Sequence, residues 1–283
     1  MQVKIDCYPC ILSQLSELAK KAANEESGQR QIVRDFLKIV MEADEATTPP
    51  EFASFFHRVV NQKTGVHDPF QAVKDKSTAL GLAMLPDLRK IIADHNHDFE
   101  VVVRLAIAGN IIDYGVNPDF DLSEAEADIL SALDLPFDTA AVQLLKQKMD
   151  GAKRIFYMLD NCGEAVLDRL LIERYADKIT VGVRGFPILN DVTRREAALS
   201  GIDYVPIFDT GDMAPGVSLR NSSPELLSEM RKADLVVTKG QGNYETLDTY
   251  DRPIFHLLRV KCGVISKVLD SPRGALKILY RNL

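Results

Sequence analysis

Four short stretches in the C-terminal half of this 283-residue chain gather residue types suited to chemistry. They are Asp160-Asn161-Cys162-Gly163-Glu164, Arg184-Gly185-Phe186-Pro187 with Asn190-Asp191, Asp209-Thr210-Gly211-Asp212, and Lys239-Gly240-Gln241-Gly242-Asn243-Tyr244-Glu245. Asp160, Asn161 and Asp191 offer hard oxygen ligands, which suit Mg²⁺ or Mn²⁺ better than zinc. Arg184 and Lys239 would balance an anionic group. Gly240 and Gly242, with Asn243 beside them, would let backbone N–H groups approach phosphate oxygens closely. Together they describe a divalent cation held against a phosphate, and the matching chemistry is phosphoryl transfer to water. Taken singly, each has a structural use. Asp160, Asn161 or Asp191 could cap the helix that follows it, and Lys239-Gly240 could end a strand in a turn. The GQG triplet lacks the spacing of a dinucleotide fingerprint or a P-loop.

The elements around these stretches would bring them together. Apolar, strand-like runs occupy 154–159 (RIFYML), 179–183 (ITVGV), 203–207 (DYVPI), 234–237 (DLVV) and 254–258 (IFHLL). Helical patterns at 164–175, 192–200 and 224–232 separate several of them. That alternation predicts right-handed crossovers and a mostly parallel sheet covered on both faces. Ligands of open parallel sheets bind beyond the carboxyl ends of the strands, so all four stretches would open on one edge. Residues 1–150 instead carry helical spacing throughout: Ile11, Leu15, Leu18 and Ala22 form one stripe, and Ile32, Phe36, Ile39 and Val40 the next. Thr48-Pro49-Pro50-Glu51 and Ser123-Glu124-Ala125-Glu126 read as capping boxes, and Asp68-Pro69 as a cap followed by proline. The expected architecture is α/β: an all-helical domain, 1–150, of about seven helices, packed on a Rossmann-like α/β/α domain, 151–283, that binds metal and phosphate.

Composition narrows the partners. Charged residues make up 27% and apolar ones 46%, and the net charge of −7 comes from interleaved acids and bases. Nucleic-acid and anionic-membrane surfaces need clustered Lys and Arg, which are missing. No apolar run approaches the roughly 18–20 residues of a membrane span. The first residues, MQVKIDCYPC, lack a signal-peptide pattern, so a cytoplasmic location is expected and the four cysteines read first as thiols or ligands.

"LDNCGE", "RGFPILNDVT" and "VTKGQGNYE", in this order and spacing, resemble the metal-dependent damage-control phosphatase family, long catalogued as a domain of unknown function. "CYPC", "DPFQAVK" and "GNIIDYG" resemble its prokaryotic branch, marked by an N-terminal CxxC. The resemblance implies a helical N-terminal region, an α/β/α domain with a divalent cation at the sheet edge, and hydrolysis of phosphate esters of small metabolites. Those would be sugar phosphates, often damaged ones, or phosphorylated cofactor precursors. It places Asp160, Asn161 and Asp191 at metal positions, with Mg²⁺, Mn²⁺, Co²⁺ or Ni²⁺ as the cation. Lys239 would lie near the phosphate. Asn110 and Asp113 would face the cleft, and Arg184 would contact phosphate. Asp160, Lys239 and Asp113 thus become candidate catalytic groups; Asn110, Arg184, Gly240, Gly242 and Asn243 become candidate substrate contacts.

Direct attack by water is the expected route. An aspartyl-phosphate on Asp160 is the alternative, although the DxDxT nucleophile motif is absent because Cys stands at 162 and Glu at 164. Two rival functions share the scaffold. An S-adenosylmethionine-dependent methyltransferase would need a glycine-rich loop where DNCGE stands. A non-catalytic metal or thiol binding module would centre on Cys7 and Cys10. That pair opens a helical region rather than the strand–helix setting of a redox CxxC, and a zinc site would need two further ligands. "DHNHD", 94–98, reads as a solvated turn, and His256 as a core histidine.

Overall fold

The computed structural model describes residues 1–111 and 122–283. Seven α-helices precede the first strand among the described residues: α1 (Cys7–Ala22), α2 (Glu26–Glu42), α3 (Pro49–Thr64), α4 (Gln71–Asp94), α5 (Phe99–Ala108), α6 (Leu122–Ser131) and α7 (Thr139–Gly151). Then come β1 (Ile155–Met158), α8 (Cys162–Ile172), β2 (Ile179–Val183), α9 (Arg194–Leu199), β3 (Ile207–Asp209), α10 (Pro224–Lys232) and β4 (Leu235–Lys239). The chain continues with α11 (Gly240–Thr246), β5 (Ile254–Arg259), α12 (Gly263–Val268) and β6 (Leu276–Arg281). The strand order is β3-β2-β1-β4-β5-β6, with β6 antiparallel and the other neighbours parallel. The chain winds outward from β1 to β3, then returns to β4 on the other side. The switch point therefore lies between β1 and β4, where Asp160 and Lys239-Gly240 leave the sheet.

Every residue of β1 is buried, because its alternating side chains meet different layers. Ile155 and Tyr157 join the core shared with α4, α5, α7 and α8, while Phe156 and Met158 pack with Leu226 and Met230 of α10. Helix α8 lies between the sheet and helices α4 and α5, so nearly all its side chains are covered. Its Leu167 is fully buried; truncation to alanine at such a site costs about 2–5 kcal/mol. Residue 150 falls at the end of α7, yet packing crosses that point freely, since α4, α5 and α7 share one core with the sheet. Helices α1 to α3 build a second cluster around Phe36, Phe52 and Phe56.

Thr48 and Glu51 form the expected capping box on α3. The one expected at Ser123–Glu126 involves side chains outside the described residues. Asp68-Pro69 does not open α4, which starts at Gln71; Asp68 accepts from the Phe70 N–H at 2.9 Å and pairs with the buried Lys74 at 3.0 Å. The third strand lies later than the run 203–207, at Ile207–Asp209; Pro206 has no N–H to pair, and only its carbonyl joins the ladder, accepting from Val181 N. The stretch after β4 is helix α11, not a loop, and α12 and β6 were not foreseen. Residues 95–98 form a turn with Asn96 and His97 in the left-handed region, as a solvated connection would. His256 is buried and bonded to the Thr238 hydroxyl at 2.8 Å. No helix among the described residues is long and apolar enough to cross a membrane.

Candidate active site

Helix capping separates the roles of the acidic tips. Asn161 is the N-cap of α8, its Oδ1 accepting from Glu164 N at 3.2 Å. Asp191 caps nothing: Thr193 caps α9, in a box with Glu196. Backbone pairing between Asn161 and Asp191 draws the β1 and β2 tips together, and Cys162 N donates to Asn190 O at 2.9 Å. The Asp191 and Asp160 carboxylates then converge on one guanidinium. Arg184 Nε lies 2.6 Å from Asp191, one terminal nitrogen 3.4 Å from Asp160, and the other 3.0 Å from Asn243 Oδ1.

Burial pushes the Asp191 carboxyl up to about 7, against the pull of Arg184. Desolvation wins because removing a carboxylate from water costs more than one cation returns. Asp160 is the more accessible of the two, with 10% of its side chain exposed against 6% for Asp191 and none for Arg184. Gly240, at φ +77°, lies directly over Asp160, and a Cβ there would overlap the carboxylate. Asn110, in the short 3₁₀ turn that ends α5, donates to Asp160 at 3.4 Å and to Glu164 at 3.1 Å. Its Oδ1 and the Nδ2 of Asn161 are buried without a partner among the described residues.

Lys239 is placed differently from the expectation. Its ammonium is fully buried and gives its protons to Ala106 O (2.8 Å), Glu164 Oε1 (2.7 Å) and Asp168 Oδ1 (2.6 Å). An ammonium has three donors, so none remains for a phosphate in this arrangement. Burial alone would lower its pKa, but Asp168 and Glu164 more than offset that and hold it charged. Glu164 is raised to about 8 by the same burial, despite Lys239. Tyr157 donates to Asp168 at 2.8 Å, completing a polar knot under the switch point.

Two other expected substrate contacts are structural here. Asn243 spends its amide on Leu159 O and Lys239 O, tying β1, β4 and α11 together. Gly242 faces Pro215 O so closely that a Cβ would overlap it, so its small size is needed for packing. Asp113 lies outside the described residues. Sequence reasoning names Glu164 without giving it a role and does not reach Asp168, although their i, i+4 spacing after a strand-tip asparagine places them on one face of α8. Cys7 and Cys10 are free thiols on the first turns of α1. Cys162 is buried, its thiol donating to Asp191 O at 3.5 Å.

A doubly wound sheet with two buried carboxylates, an arginine and two amides at its switch point defines a Rossmann-like protein with a polar centre. The family model of the damage-control phosphatase ARMT1-like domain matches residues 3–276. A protein of Methanocaldococcus jannaschii, MJ0202, is 30% identical over 99% of this chain and 96% of its own length. Two relatives carry the name damage-control phosphatase. That of Archaeoglobus fulgidus is 30% identical over 94% of this chain and 95% of its own, and PH1575 of Pyrococcus horikoshii is 29% identical over 100% and 99%. The crystal structure of PH1575, described as a DUF89 family protein, superposes with a TM-score of 0.87 at 29% identity, covering all of both chains. The chain belongs to the damage-control phosphatase ARMT1-like family.

Proposed function

We propose that this protein is a divalent-cation-dependent phosphatase acting on small phosphorylated metabolites, such as sugar phosphates or phosphorylated cofactor precursors. The observation that carries the reading is the pair of buried carboxylates, Asp160 and Asp191, held at the switch point beside an unsatisfied amide oxygen. Among the described residues no three His, Cys, Asp or Glu side chains converge as a ligand cluster. A hard cation needs no such cluster, since carbonyl oxygens and water complete its shell. Asp160, Asp191 and the second lone pair of Asn161 Oδ1 would hold Mg²⁺, Mn²⁺, Co²⁺ or Ni²⁺, with Asn110 Oδ1 alongside. Bound there, the cation would polarise a phosphoryl oxygen and lower the pKa of an attacking water.

The chain's own groups do the rest. Arg184 keeps the two carboxylates from repelling one another and fixes their orientation. Asp160, the more exposed carboxylate, faces the incoming ester. The orphaned Nδ2 of Asn161 and the Gly240 backbone offer donors to phosphate oxygens. Lys239 acts as a positioning residue, through Glu164 and Asn110, and not by touching substrate. The methyltransferase reading is disfavoured, because the first strand ends in DNCGE where a nucleoside would need a glycine-rich loop, and the family model is a phosphatase domain.

The test is phosphate release from p-nitrophenyl phosphate and a sugar phosphate panel, after chelation and then with each cation, with Asp160→Ala alongside. Turnover that needs metal and disappears in the variant is expected. No release from folded protein with any cation would defeat the phosphatase reading on these substrates.

A further inference from the structure

A cavity of about 590 Å³ opens between α3 and the loops that follow β2 and β3. One wall is a single stripe of α3, where Glu51, Ser54 and Arg58 follow at helical spacing. The opposite stripe of α3 is buried against α1 and α2 through Phe52, Phe56 and Val60. The other walls are the loops after β2 and β3, with Phe186, Asp212 and Asn221. These loops adjoin the cluster: Phe186 is two residues from Arg184, and Gly185 N donates to the Thr210 hydroxyl at 2.9 Å. The cavity is therefore where the carbon part of an ester would lie when its phosphate sits at Asp160.

Charges on the walls are not equivalent. Glu51 is occupied at both oxygens, accepting from Thr48 N at 2.8 Å and Ser218 Oγ at 3.1 Å. Asp212 is occupied likewise, by Ala214 N at 3.3 Å and Ser222 Oγ at 3.4 Å. Arg58 is exposed and makes no hydrogen bond or ion pair among the described residues. Its guanidinium is thus the one uncommitted charge among these six residues, and its planar fork fits a carboxylate or phosphate in two-point contact. Phe186, 51% exposed at the rim, gives an apolar surface for the carbon skeleton.

We infer that this cavity is a subsite for a second anionic group on the substrate, a carboxylate or another phosphate, with Arg58 as its specificity-determining residue. The inference rests on the phosphatase reading for its assay but can be judged without it. Two substrate pairs separate the sources: glycerol 3-phosphate against 3-phosphoglycerate for carboxylate, and fructose 1-phosphate against fructose 1,6-bisphosphate for phosphate. The wild type should favour the doubly anionic member of at least one pair by about tenfold in kcat/KM, the scale of one exposed charge-assisted contact. Arg58→Ala should erase that preference, Arg58→Glu should reverse it, and Arg58→Lys should restore part of it. Turnover of p-nitrophenyl phosphate, which lacks a second anion, should stay within about twofold, since loss of one solvent-exposed contact leaves the carboxylate cluster intact. A wild type without preference in either pair, or a preference surviving in Arg58→Ala, overturns the inference. If no ester is hydrolysed, the phosphatase reading fails, and calorimetry of 3-phosphoglycerate against glycerol 3-phosphate still decides the subsite. Binding favouring 3-phosphoglycerate and lost in Arg58→Ala sustains it; equal or absent binding overturns it.

Discussion

Replacing Lys239 by methionine keeps the length of the side chain and removes its charge. The ammonium it deletes is fully buried and bonded to Ala106 O, Glu164 and Asp168. Burial pushes Glu164 up to about 8 and raises Asp168 as well, while the Lys239 ammonium pulls both carboxyls back down. Without the cation, Asp168 must take a proton to stay in the fold. Its ordinary value is 3.8. Burial already raises Asp168 in the wild type, so holding it neutral at pH 7 adds at most about 4 kcal/mol, the whole span from 3.8 at about 1.4 kcal/mol per pH unit. The size agrees with the roughly 3–5 kcal/mol lost when one partner of a buried ion pair is removed. The sign gives a second check. A carboxyl neutral in the fold and ionised in the open chain makes the unfolded state bind fewer protons, so the deficit grows as pH rises. It should shrink to about 2 kcal/mol at pH 5. Urea unfolding of Lys239→Met and wild type at both pH values measures the difference, and adding Asp168→Asn should recover most of the loss and flatten its pH dependence. A loss below about 1 kcal/mol at pH 7, or one unchanged at pH 5, would refute the buried-triad account. Combined with abolished turnover, that result would return Lys239 to the phosphate.

Gly240→Ala should lose about 1–2 kcal/mol from its left-handed backbone. It should also lose cation-dependent turnover by at least about tenfold, because the new methyl displaces the Asp160 carboxylate; urea midpoints and steady-state rates check the two effects separately. His57 and His256 are both held neutral to about pH 3 by burial, helped by Lys74 and Arg281 respectively. The unfolded chain protonates them below about 6.5 while the fold does not, so stability should fall with pH, by about 2 kcal/mol per histidine at pH 5. Neither ring nitrogen of His57 has a partner among the described residues, so His57→Phe should cost little at pH 7 and shallow this acid slope in denaturation midpoints. Cys7→Ser with Cys10→Ser should leave phosphate release within about twofold, since both thiols lie off the carboxylate cluster; loss of turnover in folded protein would make the pair essential.

The alternation of strand-like runs with helical patterns made the wound sheet legible, because each segment's period reports which faces it must bury. The same period exposed the helices before residue 150, and the tips Asp160, Asn161, Arg184 and Asp191 could be read as one cluster because parallel strands deliver their carboxyl ends to one edge. The sequence also carried the family, through three motifs in order. It could not show β6 and α12, which lack a strong pattern and are set by their neighbours on β5. Nor could it show where Lys239 points. A lysine at a strand tip looks alike whether it reaches outward to a phosphate or inward to two carboxylates. That choice was made by Glu164 and Asp168, one helical turn apart on α8, and by the open carbonyl of Ala106 on α5. Likewise, that Asp191 turns to Arg184 and caps no helix depended on Thr193 taking the cap, and the importance of Arg58 depended on α3 turning one stripe toward loops more than 100 residues away. Local patterns fix periods and caps, whereas the partners of a buried charge are set by contacts distant in sequence, and only the tertiary structure supplies those.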